Sequence, residues 1–169
     1  MRWLIDGYNV IRRDAELAGI DRRSLEEGRD ALLRLLARVA HDSPDEFVVV
    51  FDGVRSTAVS PNVGRVQVVF SRPPEKADDV LVRLARQGGA GATVVTSDRS
   101  VQAAANRVHA AVVGAEAFLD RVAAPEAAAA EDDDDTPDRP EPKKGNPRRR
   151  SREERRSQRA LDRLRPRRP

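Results

Sequence analysis

Residues 46–53 read EFVVVFDG: five apolar residues in a row, closed by an aspartate and a glycine. Nothing in the run alternates with polar side chains, so both of its faces must be covered. That is how a strand inside a parallel sheet reads. The arrangement recurs on either side, as RWLID at 2–6 and ATVVTSD at 92–98. In an open parallel sheet the carboxyl ends of the strands face one crevice, and ligands bind there. Asp6, Asp52 and Asp98 are therefore expected to converge, joined by the Asp78-Asp79 pair at the start of a helix-like segment. A close carboxylate pair repels by roughly 4 kcal/mol at an effective dielectric near 20. A divalent cation is the economical remedy, and it points to a phosphate-containing substrate.

The rest of the first 123 residues alternates strand-like and helix-like segments. A polar loop is expected over 12–23, and then a helix to about Ala40 opened by a capping box, Ser24 with Glu27 reaching back. Pro61-Asn62-Val63-Gly64 reads as a turn and VQVVF at 66–70 as a strand. Helices are predicted over 76–87, 101–108 and 116–122, and short strands over 92–96 and 110–113. This βα alternation predicts an α/β fold, a three-layer α/β/α sandwich on a mainly parallel sheet.

Composition bounds the rest. The chain carries 31 basic and 28 acidic residues, but residues 1–125 hold 17 of each. Residues 126–141 hold eight acids and one base, and residues 142–169 hold 13 bases and three acids. Three regions follow: a globular domain at 1–123, an acidic, proline-rich disordered linker at 124–147, and a basic, arginine-rich tail at 148–169 with little structure unless a partner supplies it. The absence of cysteine excludes disulfides and thiolate metal sites and fits a reducing compartment. No apolar stretch approaches the ~20 residues of a membrane span, and Asp6 comes too early for a signal peptide. A soluble cytoplasmic protein with no membrane partner is the expectation.

Each acidic position also has a plain structural reading. Asp6-Gly7 and Asp52-Gly53 are turn formers leaving strands. One of Asp78 and Asp79 can answer the helix dipole, and Asp98 can N-cap the helix after it. Gly7 can let the backbone approach a ligand, and Asn9 can hold a water or a phosphate oxygen. Loop arginines (Arg12, Arg13, Arg55, Arg65, Arg72, Arg99) and the tail block Arg148, Arg149 and Arg150 are candidate phosphate contacts. His41 and His109 fall at predicted helix ends away from the motifs, which argues against histidine-based cleavage. A haloacid-dehalogenase phosphatase needs an acid where Tyr8 stands, and no G-x-G-x-x-G follows a strand.

DGYNVI at 6–11, VVVFDG at 48–53, KADDVL at 76–81, TSDRSVQ at 96–102 and AEAFL at 115–119 together resemble the NYN domains of the bacterial YacP-like family, PIN-like and FLAP-like ribonucleases. The resemblance covers residues 1–123 and not the tail. It implies a PIN-like fold and an endoribonuclease dependent on one or two Mg²⁺ or Mn²⁺ ions. It marks Asp6, Asn9, Asp78, Asp79 and Asp98 as catalytic. Asp6, Asp78 and Asp98 are the expected metal ligands, with Asp52 and Asp79 as further candidates. RNA is the implied partner, with mRNA on the ribosome as its setting. The alternatives are a non-catalytic RNA- or ribosome-binding module and a structure-specific DNA nuclease.

Overall fold

The computed structural model describes residues 1–53, 62–130 and 151–164. Its six strands are β1 (Arg2–Asp6), β2 (Glu46–Phe51), β3 (Asn62–Val63), β4 (Val66–Phe70), β5 (Ala92–Val95) and β6 (Ala111–Val113). They form one sheet in the order β3-β4-β2-β1-β5-β6, parallel throughout except for β3. Seven α-helices accompany it: α1 (Gly7–Arg13), α2 (Ala15–Asp21), α3 (Leu25–His41), α4 (Ala77–Gly88), α5 (Arg99–Arg107), α6 (Ala115–Ala130) and α7 (Arg152–Arg163).

The unbroken apolar runs are covered on both faces, as the sequence predicts. Trp3, Ile5, Phe47, Val49 and Phe51 point into a core shared with α1, α2, α3, α6 and α7. Leu4, Val48, Val50 and Val94 point the other way, onto α4 and α5. This is a three-layer sandwich of the PIN-like kind. The chain leaves β1 for α1 on one face and leaves the adjacent β5 for α5 on the other. Between two such strands a crevice opens at their carboxyl ends.

Four expectations about local structure are corrected. The stretch 12–23 is largely helical, because two aspartates each cap a short helix. Asp6 accepts the Asn9 N–H to start α1, and Asp14 accepts the Leu17 N–H to start α2. Ser24 does cap α3, through the Glu27 N–H, but Glu27 does not reach back. The Ser24 N–H already donates to the carbonyl of Ile20. Gly7 makes room for the protein itself and not for a ligand: a Cβ there would fall 2.3 Å from the Phe51 ring. Asn62 and Val63, read as part of a turn, pair with β4 as the antiparallel edge.

The tail also differs from its reading as disorder. The backbone of α6 runs on to Ala130, consistent with the helix propensity of the alanine run. Helix α7 docks on this domain. The helix opens on a full capping box, Ser151 with Glu154. Ala160 and Leu164 are buried in the core, Ser157 donates to the Val112 carbonyl of edge strand β6, and Arg121 on α6 pairs with Asp162. Residues 54–61, with Arg55, and residues 131–150, with Arg148, Arg149 and Arg150, lie outside the described residues. No helix among the described residues is long and apolar enough to cross a membrane.

Candidate active site

Four segments remote in sequence meet at the carboxyl ends of β1, β2 and β5. Asp6, Tyr8, Asn9, Arg12, Asp52, Lys76, Asp78 and Asp98 line a cleft of about 200 Å³ there. Asp6 closes β1 and is 9% exposed. One of its oxygens caps α1 through the Asn9 N–H at 3.2 Å, and the other accepts the Thr96 hydroxyl at 2.9 Å. The same hydroxyl oxygen accepts the N–H of Asp98 at 3.1 Å. Thr96, fully buried, thus fixes Asp6 and the backbone of Asp98 at once. Sequence reasoning passed over Thr96. The signal available was a threonine two residues before a strand-end aspartate, where a short hydroxyl reaches both neighbours.

Asn9 is held from the same side. Its side-chain oxygen accepts the Ser97 N–H at 2.8 Å, which leaves the NH₂ as the end free for a ligand oxygen. The Ser97 hydroxyl donates to Glu116, which pairs with Arg13 at 2.9 Å. Arg13 therefore braces α1 against α6. Asp98 caps α5 as the plain structural reading expected. Ser100, through N–H and hydroxyl, and the Val101 N–H all donate to its Oδ1. Capping occupies one oxygen of this cleft-lining carboxylate and leaves the other out of the cap. Asp52 accepts the Ser71 hydroxyl at 2.6 Å from the end of β4.

Asp78 and Asp79 separate cleanly. Asp78 lines the cleft, whereas Asp79 turns back to accept the Lys76 N–H at 3.0 Å as the third residue of a capping box. Adjacent side chains on a helix point about 100° apart, so one wall cannot use both. Arg72 and Arg99 are exposed and do not line the cleft. Arg65 is spent on the carbonyl of Ser43.

Two of the cleft carboxyls are pushed up and a third is held down. Burial, then repulsion from Asp78 and Asp98, pushes the Asp6 carboxyl above its ordinary range, against the pull of its hydrogen bonds from Thr96 and Asn9. Partial desolvation, then repulsion from Asp98, Asp79 and Asp52, does the same to Asp78, with Lys76 opposing. Asp98 is held low by the bonds from Ser100 and Val101. Among the described residues no three Asp, Glu or His side chains stand close enough to make a ready-made ligand group for a metal ion. The donor set is all oxygen and short of positive charge. That suits a hard cation held by one or two carboxylates and otherwise by water, the usual habit of Mg²⁺.

A family profile described as YacP-like NYN domain matches residues 3–167, so the match runs over α7 and the tail that the resemblance left out. The uncharacterized protein YacP of Bacillus subtilis (strain 168) is 34% identical over 104 residues, 59% of this chain. The matched stretch spans 61% of that relative's length. The crystal structure of Rae1 (YacP) from Bacillus subtilis superposes with a TM-score of 0.67 at 30% identity, covering 77% of this chain and 78% of that one. A point mutant of the same protein gives 0.65 at 29% identity, over 76% and 79%.

Proposed function

This chain belongs to the YacP-like NYN domain family, and from that premise we propose that it is a divalent-metal-dependent endoribonuclease. The observation that supports this reading is the convergence of Asp6, Asp52, Asp78 and Asp98 in one cleft, with Asp6 and Asp78 pushed toward the neutral form by burial and by repulsion from their acidic neighbours. Asp6, Asp78 and the second oxygen of Asp98 would hold Mg²⁺ or Mn²⁺, one or two of them directly and the rest through its waters. Bound there, the ion would supply Lewis-acid polarisation of the scissile phosphate and a lowered pKa for the attacking water. The protein's part is positional. Thr96 locks Asp6 against Asp98, and the Asn9 NH₂ donates to a phosphate oxygen. Asp52, steadied by Ser71, orients water at the rim, while Arg12 and Lys76 flank the cleft as cations for the RNA backbone. Asp79 serves the helix and not the reaction.

Family membership supports RNA as the substrate, and mRNA on the ribosome is a setting that the resemblance suggests. The arginine block at 148–150 would add affinity that falls steeply with salt. The test is cleavage of end-labelled single-stranded RNA by the full chain with Mg²⁺ or Mn²⁺, with EDTA, and with DNA of the same sequence beside it. Cleavage is expected with either metal, none is expected with EDTA, and Asp78→Asn should lose about 10²–10³-fold. No cleavage by the unmodified chain with either metal would leave the non-catalytic RNA-binding module. Equal cleavage of DNA would replace the substrate assignment.

A further inference from the structure

Tyr8 is the one aromatic side chain lining the cleft, and metal ligation gives it nothing to do. Its ring is nonetheless held on several sides. Phe51 meets it in a T-shaped contact at 5.2 Å between centroids, and Arg29 Nη1 donates to the phenol oxygen at 3.4 Å. The Arg12 guanidinium lies over the ring at 5.8 Å. Arg29 is itself anchored: it is 8% exposed and lies over the Phe70 ring at 5.6 Å. A half-buried tyrosine fixed in this way offers a flat apolar surface whose ordering cost has already been met in the free protein. Arg12 differs from Arg13 beside it. Arg13 is paired with Glu116, whereas Arg12 is exposed and carries no ion pair among the described residues.

We propose that Tyr8 is a stacking platform for one unpaired nucleobase next to the scissile phosphate, with Arg12 swinging from the ring to the RNA backbone as the base takes its place. The proposal rests on the ribonuclease reading and names its substrate class: single-stranded or splayed-out RNA. A base inside a duplex is stacked and paired on its own helix and cannot reach a side-chain ring at a cleft wall without being extruded. Stacking on an aromatic side chain contributes about 1–3 kcal/mol per base and tolerates any base, because each has a π-face. The platform therefore selects for unpaired structure and not for sequence.

The test uses the full chain carrying Asp98→Asn to suppress turnover, in Mg²⁺, with short single-stranded RNAs bearing 2-aminopurine at successive positions. One position is expected to change fluorescence on binding. In the same background Tyr8→Leu should abolish that change and weaken binding about 10-fold, while Tyr8→Phe keeps the signal. RNA with an abasic site at that position should bind equally well whether or not the protein carries Tyr8→Leu. Fluorescence unaffected by Tyr8→Leu, in protein that is folded by circular dichroism, overturns the platform, as does the absence of any RNA binding. The two readings fail separately. A Tyr8-dependent signal without cleavage by the unmodified chain upholds the platform and sinks the nuclease. Cleavage with no Tyr8 dependence does the reverse.

Discussion

Two buried aspartates, Asp6 and Asp45, are under opposite electrostatic strain. Asp6, 9% exposed, receives only neutral hydrogen bonds and faces two other carboxylates, and its carboxyl is pushed up. Asp45, in the segment before β2, is only 2% exposed, yet it is held down at about 2. Burial alone would raise it. Hydrogen bonds from Arg163 at 2.7 Å, the amino group of Met1 at 2.9 Å and the Trp3 indole at 3.1 Å outweigh that. One aspartate has its counter-charge built into the fold, and the other has only neutral hydrogen-bond donors and acidic neighbours. The difference teaches that burial by itself does not mark a site. A buried acid whose neighbours fail to neutralise it does.

Exchanging charge for amide at each position should cross the effects. Asp6→Asn removes a carboxylate that the fold already disfavours, so stability should hold or rise, while RNA cleavage falls about 10²–10³-fold. Asp45→Asn should do the opposite: thermal and urea unfolding show a loss of about 2 kcal/mol, the worth of its depressed pKa, with cleavage per folded molecule unchanged. Arg163, about half exposed, then finds water and adds little further cost. Asp6→Asn retaining full cleavage would collapse the distinction.

The pH dependence of stability should carry the same contrast. Asp45 has a folded pKa below its unfolded one, so its contribution is complete above about pH 4 and is lost as pH falls through about 2. Asp6 and Asp78 have raised folded values, so their contribution is present below the unfolded pKa and is lost as pH rises through the folded ones. Urea midpoints of metal-free protein should fall steeply on the acid side. Asp45→Asn should flatten that limb, and Asp6→Asn should not.

The sheet was legible because an apolar run closed by Asp needs no tertiary information. The runs 2–6, 46–52 and 92–98 set strands, neighbours and the acidic end together. What escaped was held by short or distant polar contacts. Helices α1 and α2 are seven residues each, too short for a helical period to show, and their start signals are aspartates that also read as turn or site residues. Helix α7 offers one leucine, Leu161, with Leu164 just past its end, and no apolar stripe. Its hold comes from Arg163 to Asp45, Arg121 to Asp162 and Ser157 to Val112, pairs separated by 40 residues or more that spacing cannot reveal. The acidic cleft was legible as a set of positions and ambiguous at Asp78-Asp79, where two neighbours have equal claims until the helix fixes its phase.

That ambiguity gives the smallest and most discriminating prediction. Asp79 accepts the Lys76 N–H at the start of α4, and Asp78 one residue earlier lines the cleft. Asp79→Ala deletes a helix cap and should cost about 1 kcal/mol in urea unfolding, with RNA cleavage within about twofold of the unmodified chain, since a surface change of this kind leaves the cleft side chains where they are. Asp79 also repels Asp78, so its removal should lower the Asp78 carboxyl, never raise it. Titrating Asp78 by NMR in the Asp79→Ala protein reads that sign directly. A cleavage loss as large as that of Asp78→Asn would make both acids ligands and would require α4 to rotate on binding its ion.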